Sequence, residues 1–206
     1  MRVVVIGGSG HVGTFLVPRL VEAGHEVFSI SRGQREPYRV HPSWESVEQV
    51  TLDRNAEEAE GTFGERVLGL EPDVVIDMIC FTPESARQLV EALRGNVRHF
   101  LHCGTIWVHG HSTQVPTTED QARRPFGEYG VQKARIEAYL LDGLPGGMDL
   151  IRLPLSTADR DNLVACLDQP GHEEGAHVPT TPDHHDAHQL PPNNLWDPTQ
   201  PPPARA

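Results

Sequence analysis

The chain has 206 residues, 37% of them hydrophobic, and 29 acidic against 17 basic side chains give a net charge of −12. That length suits one large domain or a domain with an appendage, and the acidic balance argues against a nucleic-acid or anionic-membrane surface, because attraction to phosphate is cationic. No apolar stretch approaches the roughly 20 residues that span a bilayer. Nor does the N-terminus read as a signal peptide, and Cys80, Cys103 and Cys166 make no disulfide framework, so a reducing cytoplasm is the expected location.

Residues 3–6 (VVVI) read as a strand buried on both faces, as central parallel strands are. Gly7-Gly8-Ser9-Gly10-His11-Val12-Gly13 follows at once, satisfying both GxxGxxG and GxGxxG. A tight turn of this kind brings bare backbone close to a pyrophosphate, and the helix after it aims its N-terminal amides at that anion. The helix is expected over 12–23, packing Val12, Phe15, Leu16 and Leu20, with Pro18 inside it and Gly24 ending it. Residues 27–30 form a second strand. Arg32, just beyond it, stands where an acidic residue would bind ribose hydroxyls and an arginine would pair with a 2′-phosphate, which tilts the cofactor toward NADP over NAD.

A polar loop covers 34–44, a short strand 47–52, and a single helix 57–70 is expected with Phe63, Val67 and Leu68 as its buried face. Residues 73–81 (DVVIDMICF) form the next buried strand. Thr82-Pro83-Glu84 then opens a helix with an N-cap, a proline at its first position and an early acid; Ala86, Leu89, Val90 and Leu93 are its core face. Residues 99–103 make another strand, and a helix from about 127 carries Tyr129, Lys133, Ile136 and Leu140. Strand–helix alternation of this kind predicts an α/β fold, a doubly wound parallel sheet of Rossmann type, with ligands beyond the carboxyl ends of the strands. Tyr129 and Lys133, four apart, share a helix face. An ammonium beside a phenol favours the phenolate, and a phenol so tuned can exchange a proton with a substrate hydroxyl while a nicotinamide exchanges hydride. Thr105, at a neighbouring strand end, could bond the same oxygen.

Taken together, VVVIGGSGHVG (3–13), Asp53 after the third strand, VVIDMIC (74–80), GTIWVHG (104–110) and EYGVQK (128–133) resemble an extended short-chain dehydrogenase/reductase of the NAD-dependent epimerase/dehydratase family. The resemblance implies Gly7, Gly10, His11, Val12, Gly13, Asp53 and Ile79 as cofactor-binding positions, with Asp53 at the adenine. It implies Thr105, Tyr129 and Lys133 as the catalytic residues: Thr105 orients the substrate oxygen, Tyr129 is the acid/base, and Lys133 tunes Tyr129 and holds the ribose. Two departures leave the substrate open. His109 replaces a tyrosine before Gly110, and Asp77 to Cys80 replace a small-residue stretch. A small-molecule substrate is implied, and paired helices in the family suggest a homodimer.

The match covers residues 1 to about 142, and 148–155 could supply a sixth strand with Pro154 near the nicotinamide. The cofactor-binding domain is therefore expected over 1–154. Ten of the 18 prolines fall in the last 56 residues, which are poor in aliphatics, so 155–206 reads as a disordered tail with one short helix at 159–167. A frameshifted or truncated end of a longer enzyme would explain the change in composition. His184, His185 and His188 in that tail, beside Asp183 and Asp186, have no folded frame and are assigned no metal. Two readings of function result: an NAD(P)-dependent oxidoreductase, epimerase or dehydratase acting on a hydroxyl or keto group, such as that of a nucleotide sugar, or a non-catalytic NAD(P)-binding module left by loss of a substrate domain.

Overall fold

Six parallel strands, β1 (Arg2–Ile6), β2 (Glu26–Ser31), β3 (Glu48–Thr51), β4 (Val74–Asp77), β5 (His99–Cys103) and β6 (Asp149–Leu153), form one sheet in the order β3-β2-β1-β4-β5-β6. The structure, a computed structural model, describes residues 1–111, 115–118, 120–142 and 149–153. The expectations for Pro154, the helix at 159–167, the tail at 155–206 and its histidines lie outside those residues. The sheet is the doubly wound one that the strand–helix alternation predicts, and 149–153 supplies the sixth strand.

Alternate side chains of the strands feed two cores. On one face Val3, Val5, Val27, Val74, Ile76 and Leu101 pack against Leu16, Val17 and Leu20 of α1 (Gly13–Glu22). On the other, Val4, Ile6, Phe28, Ile30, Val75 and Phe100 meet α3 (Phe63–Leu68), α4 (Pro83–Leu93) and α5 (Gly127–Asp142), and the short α2 (Arg54–Glu60) leads into α3. Burial on both faces explains why these strands are continuous aliphatic runs. The strand order reverses between β1 and β4, which opens a crevice at their carboxyl ends.

Three local expectations are revised, the first being the strand over 73–81, which runs only over Val74–Asp77. Residues 57–70 are two helices, because Gly61 adopts a left-handed φ of 75° and its amide closes α2 onto the Glu57 and Glu58 carbonyls. The Thr62 hydroxyl then bonds the Glu57 carboxylate at 2.6 Å, and α3 starts afresh with Phe63 and Val67 in the core. Val12 and Phe15 do not pack in the core: Val12 is 43% exposed and Phe15 half-buried, while Val17 takes the inward position. By contrast α4 begins as expected, with the Thr82 hydroxyl accepting from the Ser85 amide at 3.2 Å and Pro83 at the first position. No helix among the described residues is long and apolar enough to cross a membrane.

Candidate active site

The glycine-rich turn lies at the reversal point of the sheet. Gly7 takes a φ of 86°, closed to most L-residues, and its amide donates to the Ile30 carbonyl at 2.8 Å. A Cβ on Gly7 would stand 2.6 Å from Ile79 Cγ2, one on Gly8 2.5 Å from Ser29 Oγ, and one on Gly13 would collide with the Gly8 carbonyl oxygen. At Gly10 it would meet only the Gly7 carbonyl oxygen, at 3.2 Å. Three of the four glycines are therefore held by the protein itself, and Gly10 offers bare backbone to a ligand. α1 starts with no capping side chain and no acidic residue in its first turn, leaving its positive end for an anion. Bare backbone facing an uncapped helix end fits the pyrophosphate of a dinucleotide. His11 is exposed beside this turn, edge-on to Phe15 and Tyr38 at 6.1 and 5.7 Å between centroids.

Arg32 is exposed directly after β2. Asp53 is exposed too, but it caps α2: its Oδ1 accepts from the Asn55 and Ala56 amides at 3.0 and 3.4 Å. The next residue was not anticipated. Arg54 turns into the protein, and its Nη1 reaches both carboxylate oxygens of Asp77, at 2.8 and 3.0 Å. Its Nε donates to Glu58 at 2.6 Å, and Glu58 in turn accepts from the Ser85 hydroxyl at 2.5 Å. Asp77 is 0% exposed. Burial alone would lower the Arg54 pKa, but the charge and hydrogen bonds of Asp77 hold it above its ordinary value, so the guanidinium stays charged.

β5 gives way after Cys103 to Gly104-Thr105, and a 3-10 turn over Ile106–His109 follows, capped by Thr105, whose Oγ1 accepts from the Trp107 amide at 3.4 Å. Tyr129 and Lys133 stand on the α5 face that looks toward this turn, at different depths. Tyr129 is 43% exposed, whereas Lys133 is 1% exposed and donates through Nζ to the Cys103 carbonyl at 2.8 Å. That Nζ lies 6.0 Å from the centre of the Tyr129 ring and 5.4 Å from the centre of Phe81. Phe81 and Trp107 flank the phenol, each 6.3 Å away between centroids, and Trp107 is stacked on Phe126 at 6.1 Å. Gly130 allows this approach, since a Cβ there would come within 2.9 Å of the Trp107 carbonyl oxygen.

Residues 3–143 match the model of the NAD dependent epimerase/dehydratase family. The chain belongs to that family. Among curated relatives of this epimerase/dehydratase chain is 2′-dehydrokanamycin reductase of Streptomyces kanamyceticus, 34% identical over 137 residues, which cover 66% of this chain and 37% of that one. UDP-glucose 4-epimerase of Streptococcus mutans is 26% identical over 163 residues, covering 68% of this chain and 46% of its own length. The chain thus spans less than half the length of these two relatives. Among solved structures, UDP-glucose 4-epimerase from Bifidobacterium longum, in complex with NAD+ and UDP, shares the fold with a TM-score of 0.60 at 19% identity, over 74% of this chain and 52% of that one.

The groups around the phenol narrow its chemistry. Burial pushes the Cys80 thiol up to about 12 and raises that of Cys103 as well, so neither is a thiolate near neutral pH. His102, beside them on β5, is held down to about 4 by burial and then by the Lys133 charge, so its imidazole is neutral. Burial also lowers the Lys133 pKa, against the opposing pull of Cys103, Cys80, Asp77 and Glu137. In this part of the epimerase/dehydratase fold, Tyr129 is a half-exposed phenol with the buried Lys133 side chain behind it. Among the described residues no cluster of His, Cys, Asp or Glu could hold a metal.

Proposed function

We propose that this chain moves hydride between a nicotinamide dinucleotide and a carbon bearing a hydroxyl or keto group, with Tyr129 as the proton donor and acceptor. The observation that carries the reading is the pairing of a half-exposed Tyr129 with a fully buried Lys133 at 6.0 Å on one helix, in a chain whose glycine turn leaves Gly10 bare. The pyrophosphate meets the turn at Gly10 and the start of α1, with Gly7 and Gly13 shaping that cofactor-binding turn, His11 and Val12 beside it, Asp53 and Arg32 toward the adenosine end, and Ile79 against the crevice floor. When bound, the nicotinamide supplies the acceptor or donor of hydride. In the oxidising direction Tyr129 takes the hydroxyl proton as the C–H bond breaks, Lys133 steadies the phenolate electrostatically, and Thr105 orients the reacting oxygen.

A sugar of a nucleotide sugar is the substrate class we favour. The curated relatives are named for a reductase and an epimerase, the latter acting on UDP-glucose, and Phe81 and Trp107 offer ring faces beside Tyr129 for the apolar face of a pyranose. Arg32 favours NADP. The test is a titration of the protein with NADH and NADPH, followed by turnover of UDP-sugars by wild type and Tyr129→Phe. Loss of the proton relay should lower turnover by about 10²–10⁴-fold with cofactor affinity unchanged. Cofactor binding without any Tyr129-dependent turnover would mark a non-catalytic module, which neither relative's name supports. Binding of neither cofactor would defeat both readings.

A further inference from the structure

We propose that Asp77 is a positioning residue which holds the turn between β4 and α4, and with it Ile79, against Gly7, so that this buried acceptor, with Arg54 as the cation its carboxylate requires, sets the shape of the dinucleotide crevice. The inference rests on the reading that the crevice binds a dinucleotide. Asp77 ends β4, and its Oδ1 accepts twice, from Arg54 Nη1 at 2.8 Å and from the Ile79 amide at 3.2 Å. The second bond folds the chain back immediately after the strand. Ile79 is thereby turned onto Gly7, with Cγ2 only 2.6 Å from where a Cβ on Gly7 would stand. The space that the first glycine leaves is filled by a side chain whose amide is anchored on Asp77.

Arg54 holds Asp77 from below and is itself held from several elements. Glu58 on α2 accepts from its Nε, Ser85 on α4 bonds Glu58, the Gln88 amide donates to the Glu58 carbonyl at 3.0 Å, and the guanidinium lies 5.1 Å over the Phe63 ring of α3. One clamp therefore ties α2, α3, α4 and β4 together at the reversal point of the sheet. A buried ion pair is a poor device for stability alone, because desolvation offsets most of its attraction and aliphatic residues of similar volume hold a core as well. Aliphatic residues cannot supply an acceptor for the Ile79 amide. Placement of that amide is what Asp77 adds, and Arg54 is the cation that its burial requires.

The experiment compares two charge-free pairs in the full chain. Arg54→Met with Asp77→Leu removes both charges and the acceptor; Arg54→Met with Asp77→Asn removes the charges and keeps an acceptor for the Ile79 amide. Amide exchange at residues 78–81 is read without cofactor, and NADH and NADPH affinities are read by fluorescence titration. The leucine pair should exchange faster at Ile79 and bind cofactor about tenfold more weakly, the worth of one hydrogen bond, while the asparagine pair stays within about threefold of wild type on both. Wild-type exchange and affinity in the leucine pair would overturn the assignment. So would an asparagine pair that loosens as much as the leucine pair is expected to, and that arm decides alone if the leucine pair does not fold. If wild type binds neither cofactor, the dinucleotide reading fails, and the exchange at Ile79 still decides the positioning role.

Discussion

Gly10 and Gly13 belong to one motif, yet the structure gives them opposite roles, and an alanine at each separates the two. A methyl on Gly13 would overlap the Gly8 carbonyl oxygen and lie 2.6 and 2.7 Å from the Gly8 carbonyl carbon and Cα. All three are backbone atoms of the turn and cannot rotate away, so α1 must lift off or the turn must shift. Overpacking of this kind costs about 1–3 kcal/mol, and the case with no flexible neighbour belongs at the upper end. Replacing glycine in a helix returns at most about 1 kcal/mol. Gly13→Ala should therefore lose about 2 kcal/mol net, read as a lower denaturation midpoint at unchanged m-value. At Gly10 the added methyl meets one atom, at 3.2 Å, and otherwise points into open space. Gly10→Ala should keep the wild-type midpoint within about 0.5 kcal/mol while weakening NADH and NADPH binding at least about tenfold, because the methyl holds the pyrophosphate off the backbone. Urea denaturation and cofactor titration on both variants give the four numbers needed. A Gly13→Ala protein as stable as wild type, or a Gly10→Ala protein that binds cofactor normally, would refute the reasoning.

Two further outcomes follow from the site. His102 has a folded-state pKa near 4 against an ordinary 6.5, through burial and the Lys133 and Arg54 charges, with Asp77 opposing them. The unfolded chain therefore takes up its proton first as pH falls. Its contribution is complete above about pH 6.5 and is lost progressively down to about pH 4, on the order of 3 kcal/mol in all; urea midpoints at pH 7, 6 and 5 should fall more steeply for wild type than for His102→Gln, and equal slopes would refute it. Trp107→Ala removes one of the two rings flanking Tyr129 and should raise the KM for a UDP-sugar about fivefold, the worth of one aromatic contact, with kcat and NADH affinity unchanged and Trp107→Phe restoring most of the loss. A fall in kcat instead would place Trp107 among the groups that orient Thr105 and Tyr129.

How far such features could be read beforehand depended on whether their cause was local. The glycine turn, the Thr82-Pro83-Glu84 start of α4 and the aliphatic strands are demands of the backbone on residues next to one another, and each was legible in the sequence. Gly61 was not, because a single glycine inside a polar helical stretch does not announce whether it will take a left-handed φ. The exposure of Val12 and Phe15 was also hidden: periodicity assigned them inward, and only the neighbouring His11, Tyr38 and Arg39 show that the start of α1 has an aromatic cluster of its own. Arg54 and Asp77 are 23 residues apart on different elements, and neither spacing nor propensity joins them.

A signal for that pair did exist, and the same signal marks Lys133. Asp77 interrupts a run buried on both faces, where periodicity demands an aliphatic residue and an isolated charge is costly. Such a carboxylate requires a buried cation, and Arg54, at the start of α2 and over the Phe63 ring, supplies it. Lys133 likewise sits in line with Ile136 and Leu140 on the inward stripe of α5, whereas Tyr129, one turn earlier, is half-exposed. Four-residue spacing explains why the two share a face, and the core stripe explains why only the lysine is buried. Both interruptions of the apolar pattern fall at the carboxyl ends of the strands, where the fold places its ligands. In this chain a charge standing in a core position is therefore a more specific pointer to the working end of the sheet than the tyrosine–lysine spacing alone.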